Sequence, residues 1–266
     1  MKKYVYPKLP AVKENPFFRI GGNGLANCLF VYAKAIVEAK KHGAEIIAPT
    51  WFNLSISTYL RRQADKRHYL GQITSHDEIK GIRRLYLLTT KSKTSDSNKF
   101  DSNILIVKGI YDFFKPLLPD YDYVRKYILN HISPKILKKV NDFDFSNFIA
   151  VHIRLGDFPV YRRVPMEWYL SKINELGHNK KVLLFSDGTN EELSDILALP
   201  NVHRVYFGGA IQDIVAISKC DYVIGSDSSF SAWGAFLGQV PCCFYKLQFG
   251  TILADASKQT IEIEHD

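Results

Sequence analysis

The sequence predicts an α/β protein in two lobes, with parallel sheets covered by helices. From residue 148 onward, apolar segments of strand length alternate with helical segments, which is typical of a parallel sheet buried on both faces. The first fifty residues show a strand, a glycine-rich turn, a helix and a second strand, the pattern of a βαβ unit. The two halves of the chain also differ in charge, which indicates lobes that face different partners.

Length and composition are those of a globular protein. The chain has 266 residues, of which 46% are hydrophobic and 23% charged, and this balance excludes disordered, fibrous and collagen-like classes. No apolar run approaches the ~18 residues that a membrane-spanning helix needs. The basic first residues are not followed by the apolar stretch of a signal peptide, so we expect the mature chain to begin here and to stay in the cytosol.

Positive charge is concentrated in the first half of the chain. Residues 1–145 contain 25 Lys and Arg against 13 Asp and Glu, a net charge of +12, whereas residues 146–266 contain 10 against 14, a net charge of −4. We therefore predict domains at 1–145 and 146–266, with the junction within 141–147. A basic lobe suits an anionic lipid, a phosphate-bearing substrate or a nucleic acid, although scattered lysines are also an ordinary solvated surface.

The predicted βαβ unit begins with a strand at 17–20. This strand leads into the turn 21–24, whose glycines permit positive φ angles. A helix over 25–41 follows, because apolar residues recur there at three- and four-residue spacing. Gly43 ends that helix, and a strand at 44–48 completes the unit.

The rest of the N-terminal lobe has fewer signals. Residues 91–103 are polar and predict a mobile loop. A strand is predicted at 104–107, and a helical pattern over 120–140 is interrupted near Ser133 and Pro134.

The C-terminal lobe alternates regularly between strands and helices. Apolar runs predict strands at 148–154, 181–185, 202–206, 222–224 and 242–245. Helical spacing predicts helices at 166–176, 191–197, 211–218 and 230–237. Thr189 or Asn190 is expected to cap the second of these helices. In such sheets, ligands bind beyond the carboxyl ends of the strands.

Polar residues follow three of these strands. His152 and Arg154 end the first strand, and arginine is a rigid fork of donors that suits phosphate oxygens. Asp187 ends the second, where a carboxylate can accept from a sugar hydroxyl or a purine N–H. Hydroxyl-rich residues at 226–231 precede a helix, whose N-terminus favours a bound phosphate.

Each of these places also has a purely structural interpretation. Arg154 could pair with Asp157 to close a loop, residues 186–188 could be an ordinary turn, and the hydroxyls at 226–231 could only cap a helix. However, one ligand with a diphosphate, a ribose and a base would contact all three places. The sequence therefore predicts a site for a nucleotide or a nucleotide sugar.

Other chemistries have weaker support. The chain has no phosphate-loop motif. The aspartate pairs at 120 and 122 and at 142 and 144 have the spacing of metal ligands, but neither follows a convincing strand of the later sheet, and we interpret both as surface turns. The cysteines lack a C-x-x-C spacing, so we expect reduced and mostly buried thiols at Cys28, Cys220, Cys242 and Cys243.

Four segments together resemble the motifs of the α-1,2-fucosyltransferases, glycosyltransferase family 11. The segment NGLANCLFVYA at 23–33 is similar to the family's G-G-L-G-N-Q-[LM]-F-Q-Y-A, and HIRLGD at 152–157 is similar to H-x-R-x-G-D. FSD at 185–187 resembles F-S-D-D, and DSSFSAWGA at 227–235 resembles N-S-S-F-S-W-W-G-A. The motifs occur in the family's order and span most of the chain.

The resemblance implies two Rossmann-like lobes of the glycosyltransferase B type, with the donor nucleotide bound by the C-terminal lobe. It implies an inverting glycosyltransferase that moves L-fucose from GDP-fucose to the 2-hydroxyl of a terminal galactose or a similar sugar in a surface glycan. GDP-fucose would be the donor substrate, and no metal or other cofactor is implied.

The resemblance also implies roles for individual residues. Arg154 would bind the β-phosphate and neutralise the departing GDP, while His152 and Asp187 would hold the guanosine. Asp157 lies close to Arg154 in the sequence and is the candidate catalytic base, although it could instead orient the loop. The remaining donor contacts implied are Asn27, facing the donor from the N-terminal lobe, and Ser228, Ser229 and Phe230 at the helix end.

Several positions depart from the family motifs. Asn23 and Ala26 stand where the family motif has glycines, and Cys28 stands where it has glutamine. In the later motifs, Gly188 replaces the second aspartate of F-S-D-D, Asp227 replaces an asparagine and Ala232 replaces a tryptophan. These departures leave two alternatives: a glycosyltransferase-like protein that uses another nucleotide sugar, or one that binds the sugar nucleotide without catalysis. A basic nucleic-acid-binding protein is a less favoured hypothesis, because basic and aromatic residues are not interleaved on one predicted element, and we expect no nucleic-acid partner.

The resemblance implies a role in O-antigen or capsule assembly, and the expected acceptor is a glycan on a lipid carrier. The basic N-terminal lobe suits an anionic lipid diphosphate and a peripheral contact with the inner face of an anionic membrane. Candidate contacts are the basic pairs at 61–62, 66–67 and 83–84.

Overall fold

A parallel sheet forms the centre of each of two units, Met1–Ser133 and Pro134–Asp266. The computed structural model describes residues 2–60, 65–73, 76–96, 100, 103–156, 158–177, 179–245 and 261–264. The units divide where the predicted helical segment is interrupted, at Ser133 and Pro134, while the functional boundary at 145 and 146 stays a prediction. The α/β class with parallel sheets is confirmed.

The first unit contains two sheets. Its strands are β1 (Tyr4–Pro7), β2 (Lys13–Glu14), β3 (Arg19–Ile20), β4 (Glu45–Ile46), β5 (Asn53–Leu54), β6 (Lys93–Thr94) and β7 (Ile104–Val107). Its helices are α1 (Leu25–His42), α2 (Ile56–Leu60), α3 (Gly81–Thr90) and α4 (Tyr121–His131), and a 3-10 helix spans Lys115–Asp120. The larger sheet has the order β4-β1-β7-β6 and the smaller one β2-β3-β5.

The βαβ unit uses a different first strand from the predicted one. Strand β1 pairs in parallel with β4, and α1 connects the two. The predicted strand 17–20 is confirmed at 19–20 as β3, but it joins the smaller sheet, so its place as the first strand of the βαβ unit is wrong. The reason is local geometry: Gly21 and Gly22 have φ angles of 68° and 93° and fold the chain back, so that Gly22 packs directly on the backbone of Pro10.

Helix α1 is the central helix of the first unit. It buries most of its circumference, because it packs against β1, the 3-10 helix and α4. The rings of Phe30 and Phe114 meet edge to face, with centroids 4.7 Å apart. Gly43 ends the helix in the left-handed conformation, as predicted.

The other predictions for the first unit are confirmed in part. The strand at 104–107 is β7, and the interrupted helical segment gives α4 and a short helix α5 (Lys138–Asn141). The mobile loop predicted at 91–103 is wrong at 93–94, because these residues form the edge strand β6 beside β7. Residues 97–99 and 101–102 of that segment lie outside the described part of the chain.

The second unit has one six-stranded sheet. Its strands are β8 (Phe148–Ile153), β9 (Lys181–Ser186), β10 (Val202–Arg204), β11 (Tyr222–Gly225), β12 (Cys242–Tyr245) and β13 (Ile261–Glu264). Besides α5, its helices are α6 (Met166–Leu176), α7 (Ser194–Leu197), α8 (Ala210–Ile217) and α9 (Ser229–Gly238), with a 3-10 helix at Val160–Arg162. The order is β10-β9-β8-β11-β12-β13, and neighbouring strands run parallel. The five strands and four helices predicted for this lobe are confirmed, and β13 was not predicted.

Burial of the central strands on both faces explains their continuous apolar sequence. On one face of β8, Ile149, Val151 and Ile153 belong to the same core cluster as Trp168 and Ile173 of α6. Helix α7 begins later than predicted, but Thr189 and Glu192 exchange the two hydrogen bonds of a capping box just before it. Within the described residues, none of the helices combines the length and the apolar character needed to cross a bilayer.

The path of the chain through the second sheet fixes where a ligand can bind. From β8 the chain proceeds outward to β9 and β10, then returns to the other side of β8 and proceeds through β11 and β12. Connections therefore leave β8 and β11 in opposite directions. Such a switch point opens a crevice beyond the carboxyl ends of the two strands.

Candidate nucleotide-binding site

The residues predicted at the strand ends lie at the switch point of the second sheet. Strands β8 and β11 are neighbours, and His152 pairs in register with Gly225. The segments that follow these strands therefore start side by side. This is the place where open parallel sheets bind ligands.

Ser226 ties the two strand ends together. Its backbone N–H donates to the carbonyl oxygen of His152 over 3.0 Å, and its buried hydroxyl donates to the same oxygen over 2.7 Å. That hydroxyl also accepts the backbone N–H of Arg154 over 2.9 Å. Ser226 belongs to the hydroxyl-rich segment 226–231, but no role was predicted for it by itself. The signal that could have found it is its position directly after a buried strand.

Asp187 connects the ends of β8 and β9. One carboxylate oxygen accepts the backbone N–H groups of Leu155 over 2.8 Å and of Gly156 over 3.1 Å. The other oxygen forms an ion pair with Nη1 of Arg154. Arg154 therefore has an ion-pair partner in Asp187, whereas Asp157, the partner considered from the sequence, lies outside the described residues.

Two glycines allow these loops to approach closely. A Cβ on Gly156 would lie 2.5 Å from Oδ2 of Asp187, well inside van der Waals contact. A Cβ on Gly188 would lie 2.5 Å from Cδ1 of Leu155. Leu155 therefore occupies the space around position 188, where the family motif has its second aspartate.

His152 is held as a neutral, buried ring. Its Nδ1 lies 3.1 Å from the hydroxyl of Ser231, and its ring stacks on Phe230 with centroids 4.9 Å apart. Burial lowers the pKa of His152 to about 3; the charge of Arg154 also lowers it, and Asp187 opposes the shift. The imidazole is therefore uncharged near neutral pH and acts by hydrogen bonding and stacking rather than as a cation.

The N-terminus of helix α9 lies at the switch point between β8 and β11, because the helix begins shortly after β11 ends. Ser228 is the N-cap, and its hydroxyl accepts the backbone N–H of Phe230 over 3.3 Å. The first turn carries no acidic residue, so the positive end of the helix dipole is not neutralised from within the helix. The structural interpretation of the hydroxyls at 226–231 was that they cap this helix, and Ser228 alone fills that role. Ser229 lies half-buried beside it.

Asp227 lies just before this helix and faces a second arginine. Its Oδ2 is 3.9 Å from Nη2 of Arg162, whose guanidinium lies over the ring of Phe158 at 5.0 Å. Burial raises the pKa of Asp227, and the charge of Arg162 opposes that shift. The other oxygen, Oδ1, is buried without a hydrogen-bond partner among the described residues.

The second unit brings six of the predicted site residues together at the ends of its strands. His152, Arg154, Asp187 and Phe230 are linked by the contacts above, and Ser228 and Ser229 begin the adjoining helix. Asn27 lies in the first turn of α1 in the first unit, where it is half-buried.

The remaining sequence predictions concern metals and thiols. Asp120 pairs with Lys40, and Asp144 accepts the backbone N–H of Ser146. Within the described part of the chain, no three His, Cys, Asp or Glu side chains are grouped so that they could hold a metal ion. All four cysteines are buried thiols outside any disulfide, as predicted.

Comparisons with known proteins point to one family. The profile described as Glycosyl transferase family 11 matches residues 92–242, which include three of the four motifs. No curated protein sequence matches the chain.

Solved fucosyltransferase structures share the fold. NodZ α-1,6-fucosyltransferase soaked with GDP-fucose has a TM-score of 0.59 and 15% identity, with 91% of this chain and 94% of that chain covered. Fucosyltransferase NodZ from Bradyrhizobium has a TM-score of 0.57 and 13% identity, with 91% and 94% covered. These structures confirm the predicted fold class of two Rossmann-like lobes.

Proposed function

The chain belongs to glycosyl transferase family 11, and from this premise we propose that it transfers L-fucose from GDP-fucose to a sugar hydroxyl. The transfer inverts the anomeric carbon and needs no metal ion. The observation that carries the proposal is the meeting of Arg154, Asp187 and the N-terminus of α9 at the switch point of the second sheet.

Arg154 and helix α9 are proposed to bind the diphosphate. When the glycosidic bond breaks, negative charge grows on the departing GDP while the anomeric carbon becomes cation-like. A fixed guanidinium and the positive end of the α9 dipole would stabilise that charge without reorganising. Asp187 holds the guanidinium at the end of β8 through the ion pair, so we assign it a positioning role besides the guanosine contact implied by the resemblance.

His152 and Phe230 are proposed to contact the nucleoside. The neutral imidazole does not compete with Arg154 for phosphate, and its stack on Phe230 supports that half-buried ring, against which a base or a ribose can pack. Ser231 fixes the orientation of the ring through Nδ1. Mutation of either ring should therefore affect nucleotide affinity more than the chemical step.

The departures from the family motifs are compatible with GDP-fucose as donor. Asp227 adds a negative charge near the proposed diphosphate, but it faces Arg162, which offsets part of that charge. At position 188, Leu155 fills the space that a second aspartate would need. Neither change removes a group assigned above to the diphosphate.

The linkage and the acceptor follow from the family resemblance. We propose transfer to the 2-hydroxyl of a terminal galactose or a similar sugar of a surface glycan, with Asp157 as the base that removes the hydroxyl proton. Asn27 is proposed to face the donor from the first unit.

A peripheral membrane contact is proposed for the short helix α2. Its side chains Ile56 and Leu60 are 73% and 80% exposed, and Nζ of Lys66 lies 5.0 Å from the ring centre of Tyr59. Exposed apolar groups beside a cation suit an anionic bilayer surface. Of the other candidate contacts, Arg84 is engaged inside the unit with the carbonyl of Ala48, and the pair at 61–62 lies outside the described residues.

Sedimentation with vesicles tests the membrane contact. The chain should co-sediment with vesicles containing anionic lipid, and the variant Ile56→Ser/Leu60→Ser should lose most of this binding. Ile82→Ser, which alters another exposed apolar side chain, serves as the control. Equal binding by all three proteins would contradict the proposed contact.

A transfer assay tests the proposed function. The chain is incubated with GDP-fucose and a panel of galactose-ended glycans, with and without a chelator, and the product linkage is read by NMR. We expect transfer that survives chelation, and a loss of about a hundredfold or more in rate for Arg154→Ala. Lys219→Ala, which removes an exposed cation of the same unit, should keep the rate.

Three other outcomes would contradict the proposal or one of its parts. GDP binding without transfer to any acceptor would favour a protein that binds the nucleotide sugar without catalysis. Transfer from another nucleotide sugar would keep the enzyme class but replace the donor. An unchanged rate in Arg154→Ala would remove Arg154 from its role.

A further inference from the structure

A pocket of about 300 Å³ lies at the carboxyl edge of the larger sheet in the first unit. The segments 8–11 and 108–111, which follow β1 and β7, line it together with Asn23. Strands β1 and β7 are neighbours, and β4, the next strand of this sheet along the chain, lies on the side of β1 away from β7. The pocket therefore occupies the kind of position at which open parallel sheets bind ligands.

Two lysines stand opposite each other in this pocket. Pro7 and Val107 are the last paired residues of β1 and β7, and Lys8 and Lys108 follow them directly. The backbone N–H of Lys8 donates to the carbonyl oxygen of Val107 over 2.8 Å, which keeps the two segments adjacent. The register thus places two exposed cations side by side.

Nothing in the described part of the chain neutralises these two charges. Neither ammonium group forms an ion pair or a side-chain hydrogen bond there, and no acidic residue lines the pocket. Asp112 comes next in the sequence, and its charge acts on Lys34. Like charges opposite each other on neighbouring strands are unfavourable, and an anion bound between them would turn that repulsion into attraction.

A tyrosine forms the aromatic wall of the same pocket. Tyr111 is 79% exposed, and its ring packs on Gly109, where a Cβ would lie 2.5 Å from Cε2 of the ring. Gly109 has a φ of +81°, so both the backbone and the close contact favour glycine. An exposed ring held in this way can pack against the apolar face of a sugar.

Pro10, which also lines the pocket, is held from within the unit. Its carbonyl oxygen accepts a hydrogen bond from Nη1 of the buried Arg19 over 2.7 Å, and Nε of the same arginine donates to the carbonyl of Thr50 over 2.7 Å. Gly22 also packs closely on Pro10. These contacts give the pocket a fixed shape before any ligand arrives.

We propose that this pocket binds a saccharide that carries a negative charge, either a carboxylate or a phosphate. Lys8 and Lys108 bind the anionic group, and Tyr111 packs against the sugar ring. Identifying this saccharide as part of the acceptor rests on the proposed function, whereas the binding itself does not. The acceptor class is then an acidic glycan rather than a neutral one.

Calorimetric titration of the full chain tests the binding. The probes are methyl β-glucuronide, glucose 6-phosphate and the neutral methyl β-glucoside. We expect at least one charged probe to bind and the neutral one not to, and the charged probe that binds distinguishes a carboxylate from a phosphate. The variant Lys8→Gln/Lys108→Gln should lose about tenfold or more in affinity. The control Lys13→Gln/Lys91→Gln removes two exposed lysines outside the pocket and should keep the affinity of the unchanged chain for the charged probe.

Three results would overturn the proposal: no binding of either charged probe, equal binding of the neutral probe, or equal losses in the variant and the control. GDP binding by the same samples checks that each variant is folded. It also separates the two proposals, because probe binding without GDP binding would support the pocket and remove the proposed function. GDP binding without probe binding would support the nucleotide site of the proposed function and remove the pocket.

A kinetic measurement then tests the acceptor assignment. With acceptors that carry a uronic acid or a phosphate beside the galactose, Lys8→Gln/Lys108→Gln should raise KM by about tenfold and leave kcat unchanged. The KM for a neutral acceptor should not change. An equal effect on neutral and acidic acceptors would overturn the assignment.

Discussion

Asp227 shows how one side chain can set the strength of nucleotide binding. It stands where the family motif has asparagine, next to the N-terminus of α9, and its Oδ1 has no hydrogen-bond partner among the described residues. A carboxylate at this point opposes a diphosphate, and Arg162, 3.9 Å away, offsets this only in part.

We therefore expect Asp227→Asn to bind GDP more tightly, by about threefold or more. Calorimetry at constant ionic strength measures the change. Asp195→Asn, in the first turn of α7, is the matched control and should bind as the unchanged chain does. Weaker GDP binding in Asp227→Asn would show that the carboxylate contributes to the site instead of opposing it.

Glu78 makes the stability of the first unit depend on pH. Tyr32 donates a hydrogen bond of 2.6 Å to its carboxyl group, and burial raises the pKa of Glu78 from 4.5 to about 7. A raised pKa in the folded state means that the folded protein binds the proton more tightly than the unfolded chain does. Stability is therefore lost as the pH rises from 4.5 to about 7 and stays low above it.

Glu78→Gln should remove this dependence, because the amide oxygen can still accept from Tyr32 and carries no charge. Between pH 5 and pH 8, the unchanged chain should lose about 3 kcal/mol of unfolding free energy relative to the variant. Urea unfolding at the two pH values measures the difference, with the exposed Glu175→Gln as control. Parallel pH profiles for all three proteins would contradict the role given to Glu78.

At the scale of elements, the loops after β8 and β9 interlock through Leu155 and Gly188. Gly188→Asp restores the family residue but places a Cβ 2.5 Å from Leu155, and we expect a cost of about 1–3 kcal/mol in unfolding free energy. Leu155→Ala should cost about 2–4 kcal/mol alone. Combined, the two should cost less than their sum by about 0.5 kcal/mol or more.

Urea unfolding of the two single variants and the double variant measures this coupling. The control pairs Gly188→Asp with Leu29→Ala, which truncates a buried side chain of the first unit, and these costs should add. If the losses of unfolding free energy from Gly188→Asp and Leu155→Ala simply add in the double variant, Leu155 does not decide which residue fits at position 188.

The elements that the sequence predicted well are those with a strong local pattern. The strands of the second unit are buried on both faces, so their apolar runs stand out, and the prediction of β12 at 242–245 is exact. Strands β2 and β5 have two residues each, too few for a period to be seen. The first strand, β1, was missed because its four residues follow a basic start and end in proline.

The site was predictable as a set of strand ends but not as a network. Arg154 and Asp187 follow strands, and that position drew attention to both. Their ion pair was not predictable, because Asp187 is remote in sequence while Asp157 is close, and only the sheet order brings β8 next to β9. The bonds of Ser226 and the register that opposes Lys8 and Lys108 likewise depend on which strands are neighbours.

At the scale of the whole molecule, the two lobes differ in how they can attract anions. The sequence concentrates a net charge of +12 in residues 1–145 and −4 in residues 146–266. The first lobe therefore attracts anions through its overall field, whereas the second must rely on local groups at one place. Arg154 and the N-terminus of α9 are those groups in this account.

The most direct test of the central claim is calorimetric titration of GDP in the presence of a chelator. We expect the unchanged chain to bind GDP without a metal ion. Arg154→Ala should bind GDP about tenfold or more weakly, and Lys219→Ala should bind it as the unchanged chain does. Absence of GDP binding, or equal affinity in Arg154→Ala, would contradict the claim that the switch point between β8 and β11 is the nucleotide site.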